Sequence, residues 1–174
     1  MKITLVLGGA RSGKSSYAMK LTSEGFRKPL YIATAEAFDE EMKERIRHHR
    51  KARGRGWQCI EEPLDLAGAV KKAQGKCDVI LIDCVTVWLS NVIVKEGESK
   101  IRRREREFKD AVKNSDVPVI VVSNEVGLGI VPEHELGRNF RDHAGRLNQD
   151  LAELADKVVF VAAGIPMILK GGKS

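Results

Sequence analysis

The sequence predicts an α/β fold, a mainly parallel β-sheet with helices on both faces, and three observations carry that prediction. Short apolar runs rich in β-branched residues recur along the chain. Segments of helical periodicity separate them, and a glycine-rich loop joins the first run to the first helix. Strands that alternate with helices pair in parallel through crossovers, which leaves both faces of the sheet covered.

The strand-like runs are Ile3–Leu7, Leu30–Ala33, Val79–Ile82, Val117–Val122 and Val158–Ala162, with Ile165–Leu169 adding a short edge strand. Lys14–Ser23 is the helix after the glycine loop. Phe38–Lys51 places Phe38, Met42 and Ile46 four apart, and Leu66–Ala73 reads as a third helix. The clearest helix is Glu135–Ala155. Its apolar stripe is Phe140, Ala144, Leu147, Leu151 and Leu154, and the opposite face carries Arg138, Arg141, Asp142, Asn148 and Gln149. The stretch Ser90–Asp116 reads as a loop entering a charged, exposed helix that ends at Asn114. With no repeat, low-complexity tract or linker, the 174 residues are expected to form one domain, 1–174, around a single core.

Hydrophobic residues make up 43% and charged residues 31%, the balance of a soluble globular protein, and a cytosolic location is expected. The opening strand-like run is too short for a signal-peptide core, and no run of 18 apolar residues is present to span a membrane. Cys59, Cys77 and Cys84 are spaced too irregularly for a zinc site or a redox pair, so free thiols are expected, with Cys84 a small buried residue. The net charge of +6 suits an anionic ligand such as a nucleotide. The basic clusters lack the interleaved aromatic residues of a nucleic-acid platform, so no nucleic-acid partner is expected.

Gly8-Gly9-Ala10-Arg11-Ser12-Gly13-Lys14-Ser15 satisfies GxxxxGK[ST] at every position, directly after a strand and before a helix. This is a Walker A loop, and it makes the fold P-loop NTPase-like. Its glycines let backbone N–H groups wrap the β- and γ-phosphates. Lys14 adds positive charge, Ser15 offers a hydroxyl to Mg²⁺, and the following helix presents its positive end. The partner acid should end a buried strand near the metal, and Asp83 after Val79–Ile82 has that form; an Asp capping the next segment is the alternative.

Two histidines, His48 and His49, lie among Arg45, Arg47, Arg50 and Lys51. Neighbouring cations disfavour imidazolium, which keeps a histidine neutral and nucleophilic. A solvated basic helix face with incidental histidines explains the same residues, and composition alone favours it. The loop from Ser123 to Pro132 lies at the carboxyl edge of the sheet, where α/β proteins place ligands. With the helix behind it, that loop offers Asn124, Glu125, Arg138, Arg141, Asp142 and Asn148 to a second, phosphorylated substrate.

The segments GGARSGKS, YIAT (Tyr31–Thr34), RIRHHR, NEVGLGIVP, RNFRD and GRLNQ, in this order, resemble the bifunctional adenosylcobinamide kinase / adenosylcobinamide-phosphate guanylyltransferases of cobalamin biosynthesis. The resemblance runs from about Lys2 to Pro166. It implies phosphorylation of adenosylcobinamide with ATP or GTP. Transfer of GMP from GTP, through a guanylylated histidine, then gives adenosylcobinamide-GDP. It implies that His48 is that histidine, and that His49, Arg50, Lys51 and Ala52 belong to the nucleotide contact region. Ala33, Thr34 and Ala35 belong there too, with acidic contacts at Glu61 and Asp83. It also implies a homotrimer. The rival readings are a simple P-loop small-molecule kinase and a nucleotide-gated switch, the latter opposed by the lack of an NKxD-type motif.

Overall fold

The structure is a computed structural model that describes residues 2–37, 40, 43–44, 47, 50–51 and 56–172. Its strands are β1 (Ile3–Gly8), β2 (Pro29–Ala33), β3 (Gln58–Glu61), β4 (Val79–Asp83), β5 (Val119–Asn124), β6 (Lys157–Ala162) and β7 (Ile165–Lys170). They form one sheet in the order β3-β2-β4-β5-β1-β6-β7. Every pairing is parallel except β6 with β7. The helices are α1 (Lys14–Gly25), α2 (Leu66–Ala73), α3 (Val85–Glu96), α4 (Ile101–Lys113) and α5 (Glu135–Leu154). Among the described residues of the expected helix at 38–51, positions 40, 43, 44, 47, 50 and 51 are helical.

Side chains alternate across each strand, so the sheet divides the apolar residues into two layers. Ile3, Leu5 and Leu7 of β1 join Ile80 and Ile82 of β4 and Val119 and Val121 of β5 under α2, α3, α4 and α5. Val6, Leu81, Ile120, Val122 and Val159 face the other way, against Ala18 of α1. Helices on both faces are what the sequence predicted. Among the described residues no helix is long and apolar enough to cross a membrane.

Several boundaries differ from the sequence expectation for local reasons. β5 begins at Val119, because Pro118 has no N–H to give the ladder; its carbonyl still accepts from Ile80 N at 2.9 Å. β3 escaped prediction: its four residues sit at the sheet edge, three of them exposed, with polar residues at both ends and no apolar run. The expected loop at the start of Ser90–Asp116 is instead the second half of α3, followed by a 3₁₀ turn at Glu98–Lys100 and then α4. Val85, Trp88, Leu89 and Val92 give α3 its helical period, which the β-branched residues between them disguise. α4 is less exposed than its charges suggested, since Ile101, Phe108, Ala111 and Val112 are buried; its cap is Asn114, as expected.

On α5, Ala144, Leu147 and Leu151 are buried as the stripe predicted. Asn148 is the exception. Placed on the polar face by its type, it is 6% exposed, because a residue four after Ala144 lies on the same side of the helix.

Asp156, before β6, ties down the chain start by accepting from Lys2 N at 2.6 Å and Ile3 N at 2.9 Å. These hydrogen bonds hold its carboxyl below the usual 3.8. A depressed carboxylate contributes stability above its unfolded pKa and loses it as pH falls through the folded one. Asp156→Asn is therefore expected to flatten the acid limb of stability below pH 3.8, read as urea midpoint against pH. An unchanged limb would show that these bonds do not hold β1 in place.

Candidate active site

Parallel strands bring all their carboxyl ends to one edge, and β5 lies between β1 and β4. That order sets the glycine loop after β1 and Asp83 at the end of β4 on either side of the tip of β5. Gly8 begins the loop where no side chain fits: a Cβ there would meet Ser12 Oγ and Val161 O at 2.5 Å. Gly13 ends it at φ 93°, a left-handed conformation that suits glycine. α1 starts at Lys14 with no side-chain cap, so its first N–H groups face the loop's mouth, the arrangement that receives phosphate. The turn between β6 and β7 braces the loop from behind, with Gly164 N donating to Ser12 O at 2.8 Å.

Lys14 is 8% exposed and its Nζ donates to Gly9 O at 3.1 Å, holding the side chain along the loop. Burial lowers its pKa below 10.5, opposed by Cys84 and Asp83. Ser15 Oγ donates to Asp83 Oδ1 at 3.3 Å, and Tyr31 OH donates to Asp83 Oδ2 at 3.1 Å. Thus Asp83 faces the loop serine across the sheet edge, as expected of a Walker B acid. The cap reading has no support, since the N-cap of α3 is Cys84 and makes no side-chain cap bond.

A cavity of about 1220 Å³ opens over this edge. Ala10 through Ser15 line it, with Ala33, Ala35, Arg50, Glu61, Asp83 and Asn124. Arg50 forms an ion pair with Glu61, so these two expected nucleotide contacts are joined to each other. Gly8 and Gly9, expected among the nucleotide contacts, are not among the residues that line the cavity. Lys51 is helical and exposed. His48, His49 and Ala52 lie outside the described residues, but Arg47, next to His48 in sequence, lines the cavity.

Some expected residues serve the site indirectly. Thr34, expected among the nucleotide contacts, is fully buried; its hydroxyl donates to Cys84 O at 2.8 Å and accepts from Cys84 N at 3.0 Å. Its side chain therefore fixes the backbone beside Asp83. Asn148, expected to face substrate, donates to Asn124 O at 3.1 Å and accepts from Ser123 Oγ at 2.6 Å. Arg138 braces its own loop, donating to the carbonyls of Pro132 and Glu133. Glu125 Oε1 accepts from Gly127 N at 2.6 Å, and Arg141 lies 3.9 Å from Asp142. Of the six loop and helix residues, Asn124 lines the cavity.

Other cavity residues carried too little signal. Tyr31 sits in the YIAT motif, yet an aromatic in the middle of a buried strand reads as core. Cys84 is buried as expected, and burial pushes its thiol up to about 11. Glu62 and Pro63 reach the cavity from the loop after β3, the strand the sequence did not reveal.

Known proteins bear on this geometry. Residues 4–169 match the family described as cobinamide kinase / cobinamide phosphate guanyltransferase. The chain is 43% identical over 169 residues to the bifunctional adenosylcobalamin biosynthesis protein CobP of Pseudomonas aeruginosa, covering 96% of each. It is 38% identical over 179 aligned residues to the bifunctional adenosylcobalamin biosynthesis protein CobU of Escherichia coli, covering 95% of this chain and 98% of that protein. Among solved structures, a RadB recombinase shares the fold with a TM-score of 0.50 at 14% identity, over 91% of this chain and 73% of that one. That likeness concerns the α/β fold alone. With the phosphate loop, its acidic partner and the matches over nearly the full length, the chain belongs to the cobinamide kinase / cobinamide phosphate guanyltransferase family.

Proposed function

We propose that this chain performs two transfers at one cavity. The first moves a phosphoryl group from ATP or GTP to the hydroxyl of adenosylcobinamide. The second moves GMP from GTP, through His48, to the resulting adenosylcobinamide phosphate. The observation that carries the reading is that buried Lys14 and the Ser15–Asp83 pair share their cavity with Arg47 and Arg50, which flank His48 in sequence.

In the second transfer His48 attacks the α-phosphorus; an N–P bond forms and the bond to the bridging oxygen of pyrophosphate breaks. Lys14, Arg47 and Arg50 offset charge on the departing pyrophosphate. A phosphate oxygen of the second substrate then displaces the histidine and restores it. Ser15 and Asp83 present hard oxygen donors 3.3 Å apart and would hold Mg²⁺. When bound, that ion offsets negative charge on the triphosphate. The second substrate enters from the Glu125–Pro132 loop; the exposed apolar residues of β7, with Leu128 and Ile130, support association between copies of the chain, which the family resemblance makes a homotrimer.

GTP labelled at the α-phosphate tests this on the whole protein. The expected result is an acid-labile, base-stable adduct formed with release of pyrophosphate. Phosphate transfer to adenosylcobinamide with no adduct would leave a simple P-loop kinase instead.

A further inference from the structure

We propose that Asn124 reads the terminal phosphate of the bound triphosphate through its side-chain amide, and that Thr86, Ser123 and Asn148 are positioning residues that hold it. The inference rests on the phosphate-site reading above and extends it to a residue on the strand between the two known parts of that site.

β5 runs between the strand that feeds the phosphate loop and the strand that ends in Asp83. The register sets Asn124 beside Gly8 and Val122 beside Asp83. The tip of β5 thus stands at the sheet edge between Lys14 and Asp83, and Asn124 lines the cavity with both. The loop backbone and the start of α1 take the β-phosphate; the next group along emerges toward Lys14 and the serine–acid pair, where Asn124 waits.

The backbone of Asn124 is fixed from two sides. Its N–H donates to Thr86 Oγ1 at 2.7 Å, and its carbonyl accepts from Asn148 Nδ2 at 3.1 Å. The hydroxyls of Thr86 and Ser123 are 3.1 Å apart, and Ser123 Oγ donates to Asn148 Oδ1 at 2.6 Å. All three positioning side chains are buried. Burying polar groups from α3, β5 and α5 costs desolvation unless each is satisfied, and here they satisfy one another around a single residue. Apolar residues would fill the same space at lower cost, so the network's product is the fixed attitude of Asn124.

Its carboxamide is turned the other way. Among the described residues its partner is Cys84 Sγ at 3.8 Å, a weak acceptor. The amide therefore has donor capacity for a phosphate oxygen. A neutral donor suits this place: it binds the terminal phosphate without the repulsion that a carboxylate would bring.

The test is calorimetric binding of GDP and of α,β-methylene GTP, whose carbon bridge does not break on attack at the α-phosphorus, to the whole protein with Mg²⁺ and without corrinoid. In Asn124→Ala the triphosphate analogue is expected to bind about tenfold more weakly while GDP is unaffected, the effect of one lost hydrogen bond to a charged group. Asn124→Asp, which keeps the side chain's shape, lowers the triphosphate-to-diphosphate ratio further. Thr86→Val lowers the same ratio by freeing the Asn124 backbone. A merely structural role would weaken both nucleotides alike. That result, or an unchanged ratio in Asn124→Asp, overturns the assignment. Because no transfer chemistry is measured, a missing histidine adduct with this ratio intact counts against the guanylyl-transfer reading alone.

Discussion

Exchanging His48 for alanine is expected to abolish the adduct from α-labelled GTP and to lower guanylyl transfer by about a thousandfold or more, the scale for removing a covalent nucleophile. Phosphate transfer from γ-labelled nucleotide should persist, because its acceptor is a substrate hydroxyl and it needs no histidine. Lys14→Met gives the contrasting result. Methionine fits a buried, chain-like position but removes the charge that lies along the loop. Both transfers are then expected to fall by about a hundredfold or more, since a charge-stabilising group is lost from each. The pair of variants separates shared from dedicated machinery. An adduct that persists in His48→Ala moves the nucleophile elsewhere. Loss of phosphate transfer alone in Lys14→Met would mean that the triphosphate attacked at its α-phosphorus does not lie in the phosphate loop.

What was legible in the sequence follows from how local each signal is. The glycine loop needs its residues at consecutive positions, so Gly8 to Ser15 could be read directly, and the structure brings Ser15 to Asp83 as the motif requires. Buried parallel strands announce themselves as continuous apolar runs, which revealed β1, β2, β4 and β6 to within a residue at each end. β3 stayed hidden because an edge strand in contact with one neighbour needs no apolar run. With it stayed hidden the loop that brings Glu62 and Pro63 to the cavity. The buried polar residues gave little signal for a related cause. Thr34, Thr86 and Asn148 are residue types usually found at the surface, and only their partners, 37 or more positions away in Ser123 or Cys84, or 24 away in Asn124, show why they are inside. Nothing within one helical turn of Asn148 names Asn124 as its partner.

Trp88 shows how the core and the cavity depend on the same helix. It is 1% exposed, its ring centroid lies 5.5 Å from that of Phe108, and its Nε1 donates to Leu64 O at 2.7 Å. One turn on, Asn91 Nδ2 donates to Thr34 O at 2.8 Å and Pro63 O at 3.2 Å. α3 thereby packs α4 with the tryptophan ring and, with polar atoms on the same face, holds both loops that rim the nucleotide cavity. Trp88→Ala is expected to cost about 3–5 kcal/mol, the range for truncating a large buried aromatic, with the orphaned Leu64 carbonyl pushing it toward the upper end. The measurement is the urea midpoint at constant m-value. Trp88→Phe keeps most of the ring packing and loses the hydrogen bond, so about 1–3 kcal/mol is expected. That milder variant stays folded and carries the functional half of the argument. If Trp88 holds the Pro63–Leu64 loop in place, nucleotide affinity falls in Trp88→Phe under conditions where the protein is fully native. Full affinity in that variant would confine Trp88 to the core and leave the loop to Asn91.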